Sequence, residues 1–242
     1  MKVNEHTKYT TQPTAIGSSV IGIKYNKGII IATDNRINSY GYKKYTDISR
    51  IAKINKNTII GSGGEYSDFQ EISRLMLEKA DEDELYNGVD NFLGPKEFTN
   101  YLSFISYEKR NKMNPYWNTT VIGGFDSEGK PFLNSVDQFG TKYSNNYLYT
   151  GFATYFAGPI LDNSRAKDSD NLSRENAIAL INEVFKVLFY RDANAGNHIN
   201  YGILEKDESN QINFITASEK LNTNWEHELF KTSQNQRYHP IA

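Results

Sequence analysis

No cysteine occurs among the 242 residues, which excludes a disulfide framework and any zinc or redox site built on thiolates. Histidine is nearly as scarce. His6, His198, His227 and His239 are scattered and share no metal-ligand spacing such as His-x-x-x-His, so no metal or cofactor is expected. No apolar run approaches the roughly 18 residues of a membrane span, and residues 1–9 are polar without the apolar centre of a secretory signal. Cytoplasm and nucleus are the expected compartments. Neither charge sign dominates: 27 basic residues stand against 29 acidic ones, a formal net charge of -2. Without a basic field or a run of like charges, neither nucleic acid nor a membrane surface is an expected partner. Low-complexity linkers and internal repeats are missing too, so the chain reads as one domain with tails, long enough to bury a large core.

What is present is a succession of apolar runs. Val20, Ile21, Ile23 and Tyr25 form one and residues 29–32 another, with the turn signal Asn26-Lys27-Gly28 between them. Near-continuous apolar strands imply cover on both faces. A Gly17-Ser18 junction opens this hairpin and Thr33-Asp34-Asn35-Arg36 closes it, which brings a hydroxyl and a carboxylate to one sheet end. Residues 51–54 and 58–61 read as a second strand pair. Gly61-Ser62-Gly63-Gly64 reads as a turn leading to a helix with a capping box at Ser67-x-x-Gln70 and an apolar stripe of Phe69, Ile72, Leu75 and Met76. Pro95 suits the first position of a second helix carrying Phe98, Tyr101, Leu102 and Ile105.

Strands are expected again at 118–125, 131–137, 141–143 and 147–150. A helix over 153–161 should be interrupted or kinked near Pro159. Ser173 is positioned to cap the clearest helix, with Leu172 stapled to Ala177 and a broad face of Leu180, Ile181, Val184, Val187 and Leu188. Strands at 199–204 and 212–216 follow. This order of strands, two helices, strands, two helices and strands fits an α/β (α+β) fold, a four-layer αββα sandwich.

Several motifs in this order resemble those of proteasome beta subunits: the Gly-Ser-Ser at Gly17, Ala-Thr-Asp-Asn-Arg at 32–36, Gly-Ser-Gly-Gly followed by Ser-Asp-Phe-Gln at 67–70, and Tyr-Arg-Asp-Ala at 190–193. The resemblance runs from Thr10 to about Trp225 and implies the N-terminal nucleophile hydrolase fold. Lys-Met-Asn-Pro-Tyr-Trp-Asn at 112–118, Thr150-Gly151-Phe152, Phe-Tyr-Arg-Asp-Ala at 189–193 and an extension of the Thr-Gln-x-Pro kind around Pro13 are similar to the subunit type called beta-7, or beta type-4 in animals.

Active members free an N-terminal threonine whose hydroxyl attacks a peptide carbonyl while its own amine takes the proton. A lysine shares protons beside it, an aspartate holds that lysine, and a backbone N–H in the Gly-rich segment stabilises the oxyanion. By this resemblance the nucleophile falls on Ser18, the orienting aspartate on Asp34, the lysine on Arg50, the oxyanion glycine on Gly64 and a supporting aspartate on Asp192. The supporting hydroxyls fall on Thr150 and Ala195. Serine for threonine is a mild change. Arginine for lysine is severe, because a guanidinium stays protonated and cannot cycle a proton. Ala195 lacks a hydroxyl, and Tyr66 is expected to fill the specificity pocket. A site so altered implies a non-catalytic structural subunit; Asp34 and Arg50 read more simply as a buried ion pair.

The resemblance further implies a propeptide over residues 1–9, an extension over 10–17, a beta-subunit domain over 18–221 and a C-terminal docking arm over 222–242. That arm, from Trp225 to Ala242, would reach the opposite beta ring, and the partners would be alpha and beta subunits in stacked heptameric rings engaged in ubiquitin- and ATP-dependent protein degradation. Two other readings stay open: a working N-terminal serine peptidase using Ser18, and a free-standing binding domain of the same fold. A phosphate loop is disfavoured, since no Gly-Lys-Ser/Thr follows Gly64. A serine-hydrolase triad is disfavoured as well, with no Gly-x-Ser-x-Gly and no histidine placed for Ser18.

Overall fold

The computed structural model of the chain describes residues 12–88 and 93–224, with the backbone alone at Arg165. The expected hairpin forms as β2 (Val20–Tyr25) and β3 (Gly28–Asp34), paired antiparallel from Val20–Thr33 to Tyr25–Gly28. Ahead of it lies β1 (Ile16–Gly17), and after it come β4 (Ile37–Ser39), β5 (Tyr42–Tyr45), β6 (Ile51–Lys53) and β7 (Thr58–Glu65). Two helices follow, α1 (Tyr66–Asn87) and α2 (Pro95–Asn111), then β8 (Asn118–Phe125), β9 (Pro131–Val136), β10 (Lys142–Ser144) and β11 (Tyr147–Tyr149). The chain continues through α3 (Ala153–Asp162), α4 (Arg174–Arg191), β12 (His198–Lys206) and β13 (Ile212–Lys220).

The strands form two antiparallel sheets. One has the order β10-β9-β8-β7-β1-β4-β5, with β6 paired to β7 off that path; the other has the order β11-β2-β3-β12-β13. Side chains explain the layering. Along β3, Ile29 and Ile31 point between the sheets to meet Val20, Ile59, Val121, Leu133 and Leu204, while Ile30 and Ala32 point outward to Ile181, Val184 and Leu188 of α4. Alternation with both faces covered is why this strand reads as a continuous apolar run. Each fully buried isoleucine is worth about 1.5–3 kcal/mol of transfer free energy. On the far side, Phe69, Ile72 and Met76 of α1 and Phe98 and Leu102 of α2 cover Ile60 and Ile122. The four layers are therefore helices, sheet, sheet, helices, as expected.

Ser173 caps α4 by accepting from Asn176 N–H, and Pro95 opens α2, where Glu97 accepts from Gly94 N–H at 3.1 Å. Three expectations need correction. Gly61–Gly64 is no turn but part of β7, where it passes close to its surroundings: a Cβ on Gly61 would stand 2.5 Å from Ile31 Cγ2 of the other sheet, and one on Gly63 2.7 Å from Ser18 O. Consequently α1 begins at Tyr66 rather than being capped at Ser67, whose hydroxyl donates instead to Glu65 Oε1 at 3.0 Å. And α3 runs through Pro159 without interruption. Ala153, Ala157 and Leu161 bury one face of it, while Tyr155, whose carbonyl loses its donor, is 73% exposed.

The expected propeptide over residues 1–9, Thr10 and the segment from Trp225 to Ala242 lie outside the described residues.

Candidate functional site

Gly17 and Ser18 stand where the chain crosses from one sheet to the other. Upstream, β1 lies between two strands, pairing Ile16 with Asn38 of β4 and Glu65 of β7, and Gly17 with Ile37 and Gly64. Downstream, β2 begins at Val20 in the second sheet. Ser18 is half-buried at this crossing, and its hydroxyl donates to Asp192 Oδ2.

Arg50 and Asp34 form a fully buried ion pair, each side chain 1% exposed. The guanidinium is spent on this and on carbonyls: Nη1 donates to Ser18 O at 3.0 Å and Ser62 O at 2.8 Å, and Nη2 to Ser19 O at 3.2 Å, Asp34 O at 3.4 Å and Asp34 Oδ1. Burial pushes the Asp34 carboxyl above the usual carboxylate range, against the pull of Arg50 and of the Gly196 N–H that donates to Oδ2 at 2.6 Å. Gly17 is packed directly against the arginine stem, so that a Cβ built there would lie 2.3 Å from Arg50 Cδ.

Gly64 has φ +105, and a Cβ on it would lie 2.0 Å from Trp117 O, two independent reasons for glycine. Its N–H side is set by its neighbours. Glu65 N–H donates to Trp117 O at 3.0 Å and Tyr66 N–H to Ala15 O at 2.8 Å, so strand alternation turns the Gly64 N–H toward β1 and Gly17. Thr150 is buried, its hydroxyl accepting from Val20 N–H at 3.1 Å. Asp192 ends α4, and Oδ1 accepts from Asn194 N–H at 2.8 Å. Ala195 is buried in the cluster beneath α3 and α4, and its N–H donates to Asp192 O at 3.0 Å. Ser18, Gly64, Thr150 and Asp192 line one cleft of about 300 Å³, walled by Ile16, Trp117 and Phe152. Asp34 and Arg50 lie directly beneath.

Tyr66 does not fill this cleft. It stands at the start of α1 with its ring 6.1 Å from that of Phe69, on the helix side of the sheet. α1 begins two residues earlier than the capping pattern suggests, with Glu65 rather than Ser67 at its N-cap.

Sequence reasoning passed over two residues that organise the approach to the cleft. Glu65 is 7% exposed, and its Oε2 accepts from the N–H groups of Thr14 and, at 2.9 Å, Ala15. Asn118 Nδ2 donates to Ser62 Oγ, Gly63 O and Glu65 O at 3.1, 3.1 and 2.9 Å, bracing the glycine stretch. A lone glutamate before a helix and an asparagine opening a strand carry no distinctive spacing. Among the described residues no group of three or more His, Cys, Asp or Glu could hold a metal ion.

Chemically, the cleft offers a hydroxyl bonded to a carboxylate. The other groups are a guanidinium that cannot accept a proton and a serine nitrogen that is an amide while the Gly17–Ser18 bond stands.

Residues 14–204 match the family described as "Proteasome subunit". The chain is similar to "Proteasome subunit beta type-4" of Xenopus laevis, 38% identical over 221 residues that cover 90% of this chain and 88% of that one. It is also similar to "Probable proteasome subunit beta type-7" of Schizosaccharomyces pombe, 44% identical over 193 residues, or 78% of this chain and 72% of that one. "Proteasome subunit beta type-7" of Saccharomyces cerevisiae is 35% identical over 204 residues, 82% of this chain and 76% of that one.

Proposed function

The chain belongs to the proteasome subunit family, with the beta type-4 and type-7 subunits as relatives, and we propose that it serves as a non-catalytic structural beta subunit of the core particle. Membership implies assembly with other proteasome subunits. We propose in addition that it stands in the stacked heptameric rings, in cytoplasm and nucleus, and supports ubiquitin- and ATP-dependent protein degradation without cutting peptides itself.

The observation that carries this reading is the state of Arg50. Where active members resemble one another in a lysine able to share protons, this chain has a guanidinium held by Asp34 and by the carbonyls of Ser18, Ser19 and Ser62. A permanently protonated group whose two terminal nitrogens are bonded to carbonyls and a carboxylate has no lone pair to accept a serine proton. Loss of positioned acid–base catalysis costs roughly 10²–10⁴-fold in rate. Two further features support the reading: Ala195 supplies no hydroxyl, and β1 occupies the strand-wide slot between β7 and β4 that a peptide would need for pairing beside Ser18.

Replacing Ser18 by alanine in the assembled particle tests it. Every peptide-cleaving activity of the particle should persist unchanged; loss of one cleavage specificity would instead favour a working N-terminal serine peptidase. The residues from Trp225 to Ala242 are proposed as a docking arm onto the opposite beta ring. Their deletion should weaken the joining of half-particles on a sizing column, and unchanged assembly would count against the arm.

A further inference from the structure

We propose that Glu65 is a latch that fixes the N-terminal boundary of the folded chain, by pinning residues 14 and 15 so that β1 stays seated and the Gly17–Ser18 bond stays shielded. The clause about shielding rests on the structural-subunit reading above, in which that bond is never cut.

The segment before Ser18 has little to hold it by itself. Its strand is two residues long, Ile16 is 38% exposed and Gly17 has no side chain to bury. Two residues of pairing fix several dihedral angles for few hydrogen bonds, which is a poor exchange for an end segment that would otherwise be free. Something outside the ladder has to retain it.

Glu65 is placed to do so. Two successive N–H groups, of Thr14 and Ala15, converge on its Oε2. The carboxylate is held from its other side by Ser67 Oγ at 3.0 Å, and the residue itself is fixed in β7 through Trp117 O and Asn118 Nδ2. It also sits at the N-cap of the 22-residue α1, where the positive end of the helix favours a carboxylate. The next amide, Tyr66 N–H, returns the contact by donating to Ala15 O at 2.8 Å. Charge-assisted bonds of this kind exceed neutral ones in strength, and a nearly buried carboxylate left without its donors would be costly, so both sides of the latch favour closure.

The geometry couples the latch to the cleft. Residues 14 and 15 lead directly into Gly17, which abuts the Arg50 stem. Arg50 in turn holds the Ser18 and Ser19 carbonyls. The bond between Gly17 and Ser18 is thereby fixed from both ends, Glu65 upstream and Arg50 downstream, with no span of free chain in which a neighbouring protease could bind it.

The test is E65A in the full chain, purified in its assembly, followed by intact mass and amide hydrogen exchange. The wild-type chain should retain residues 12–17 and protect the Ala15 and Tyr66 amides. In E65A both amides should exchange about tenfold faster or more, since local opening sets their exchange. A fraction of chains should be cut between residue 12 and Ser18, while β3 keeps its protection. The Tyr66 amide is the telling one, because it does not bond to Glu65 and responds only if β1 itself leaves. E65A with wild-type mass and a Tyr66 amide as slow as before overturns the latch while leaving the structural-subunit reading intact. A wild-type chain that already begins at Ser18 overturns both. Should E65A loosen β3 as well, A15P decides: it leaves Glu65 in place and removes one of its donors. Faster Tyr66 exchange with β3 unchanged then supports the latch, and unchanged Tyr66 exchange refutes it.

Discussion

Gly17 and Arg50 are in such close contact that no side chain fits between them: a Cβ on Gly17 would stand 2.3 Å from Arg50 Cδ and 2.6 Å from its Nε. The arginine has no freedom to move aside, because its terminal nitrogens are bonded to Asp34 and to three other residues' carbonyls. Replacing Gly17 by alanine should therefore destabilise the fold by about 1–3 kcal/mol, the usual range for forced overpacking. Urea denaturation of the two chains reads this directly. A neutral G17A would mean that the arginine stem is less fixed than its bonds imply.

The Asp34–Arg50 pair should behave as a unit. Removing either partner strands a buried charge at a cost of about 3–5 kcal/mol, and removing Asp34 also frees the Gly196 N–H. Replacing both with apolar residues should cost less than the sum of the single changes, which a double-mutant cycle measures. Additive effects would show that the two side chains are stabilised independently of one another.

Lysine at position 50 should not create a peptidase. R50K keeps a cation beside Asp34, so the fold should persist, but Ser18 still lacks a free amine, Ala195 still lacks a hydroxyl and β1 still fills the slot. Fluorogenic peptides assayed against particles carrying R50K should show no added hydrolysis. Added hydrolysis abolished by S18A would show that the arginine alone silences the site.

Alkaline pH should loosen the seam between β11 and α3. Tyr147 donates its hydroxyl to Asp162, and that bond, followed by burial, raises the phenol to about 12. The folded value lies above the ordinary tyrosine value of 10.0, so the contribution is complete below that pH and is lost as pH climbs toward 12. Stability measured from pH 9 to 11.5 should fall less steeply in Y147F than in wild type. Parallel curves would refute the assignment.

Much of the architecture was legible in the chain because burial on both faces writes apolar residues at consecutive positions. Residues 29–31 announce β3 for that reason, and Ser173 with Leu172 and Ala177 announces the start of α4. The glycine stretch of β7 was misread because glycine ordinarily breaks strands, whereas here it permits close approach of Ser18 O and Trp117 O. Short polar strands left no trace: β5 is exposed along its whole length and β1 has only two residues, too few for any period. Of the site, Ser18, Gly64, Thr150 and Asp192 line one cleft, and Arg50 forms the buried ion pair with Asp34 that its charge and position suggest. Glu65 was missed because its role depends on which backbone amides fold back upon it.

Whether the bond before Ser18 is ever cut separates a structural subunit from a working peptidase. Intact mass of this chain, taken from the purified assembly, answers that question. A mass that includes residues 12–17, with a mature end near Thr10, is the result expected of a structural subunit whose β1 stays seated between β7 and β4. A chain beginning at Ser18, with a free amine beside its hydroxyl, would contradict it.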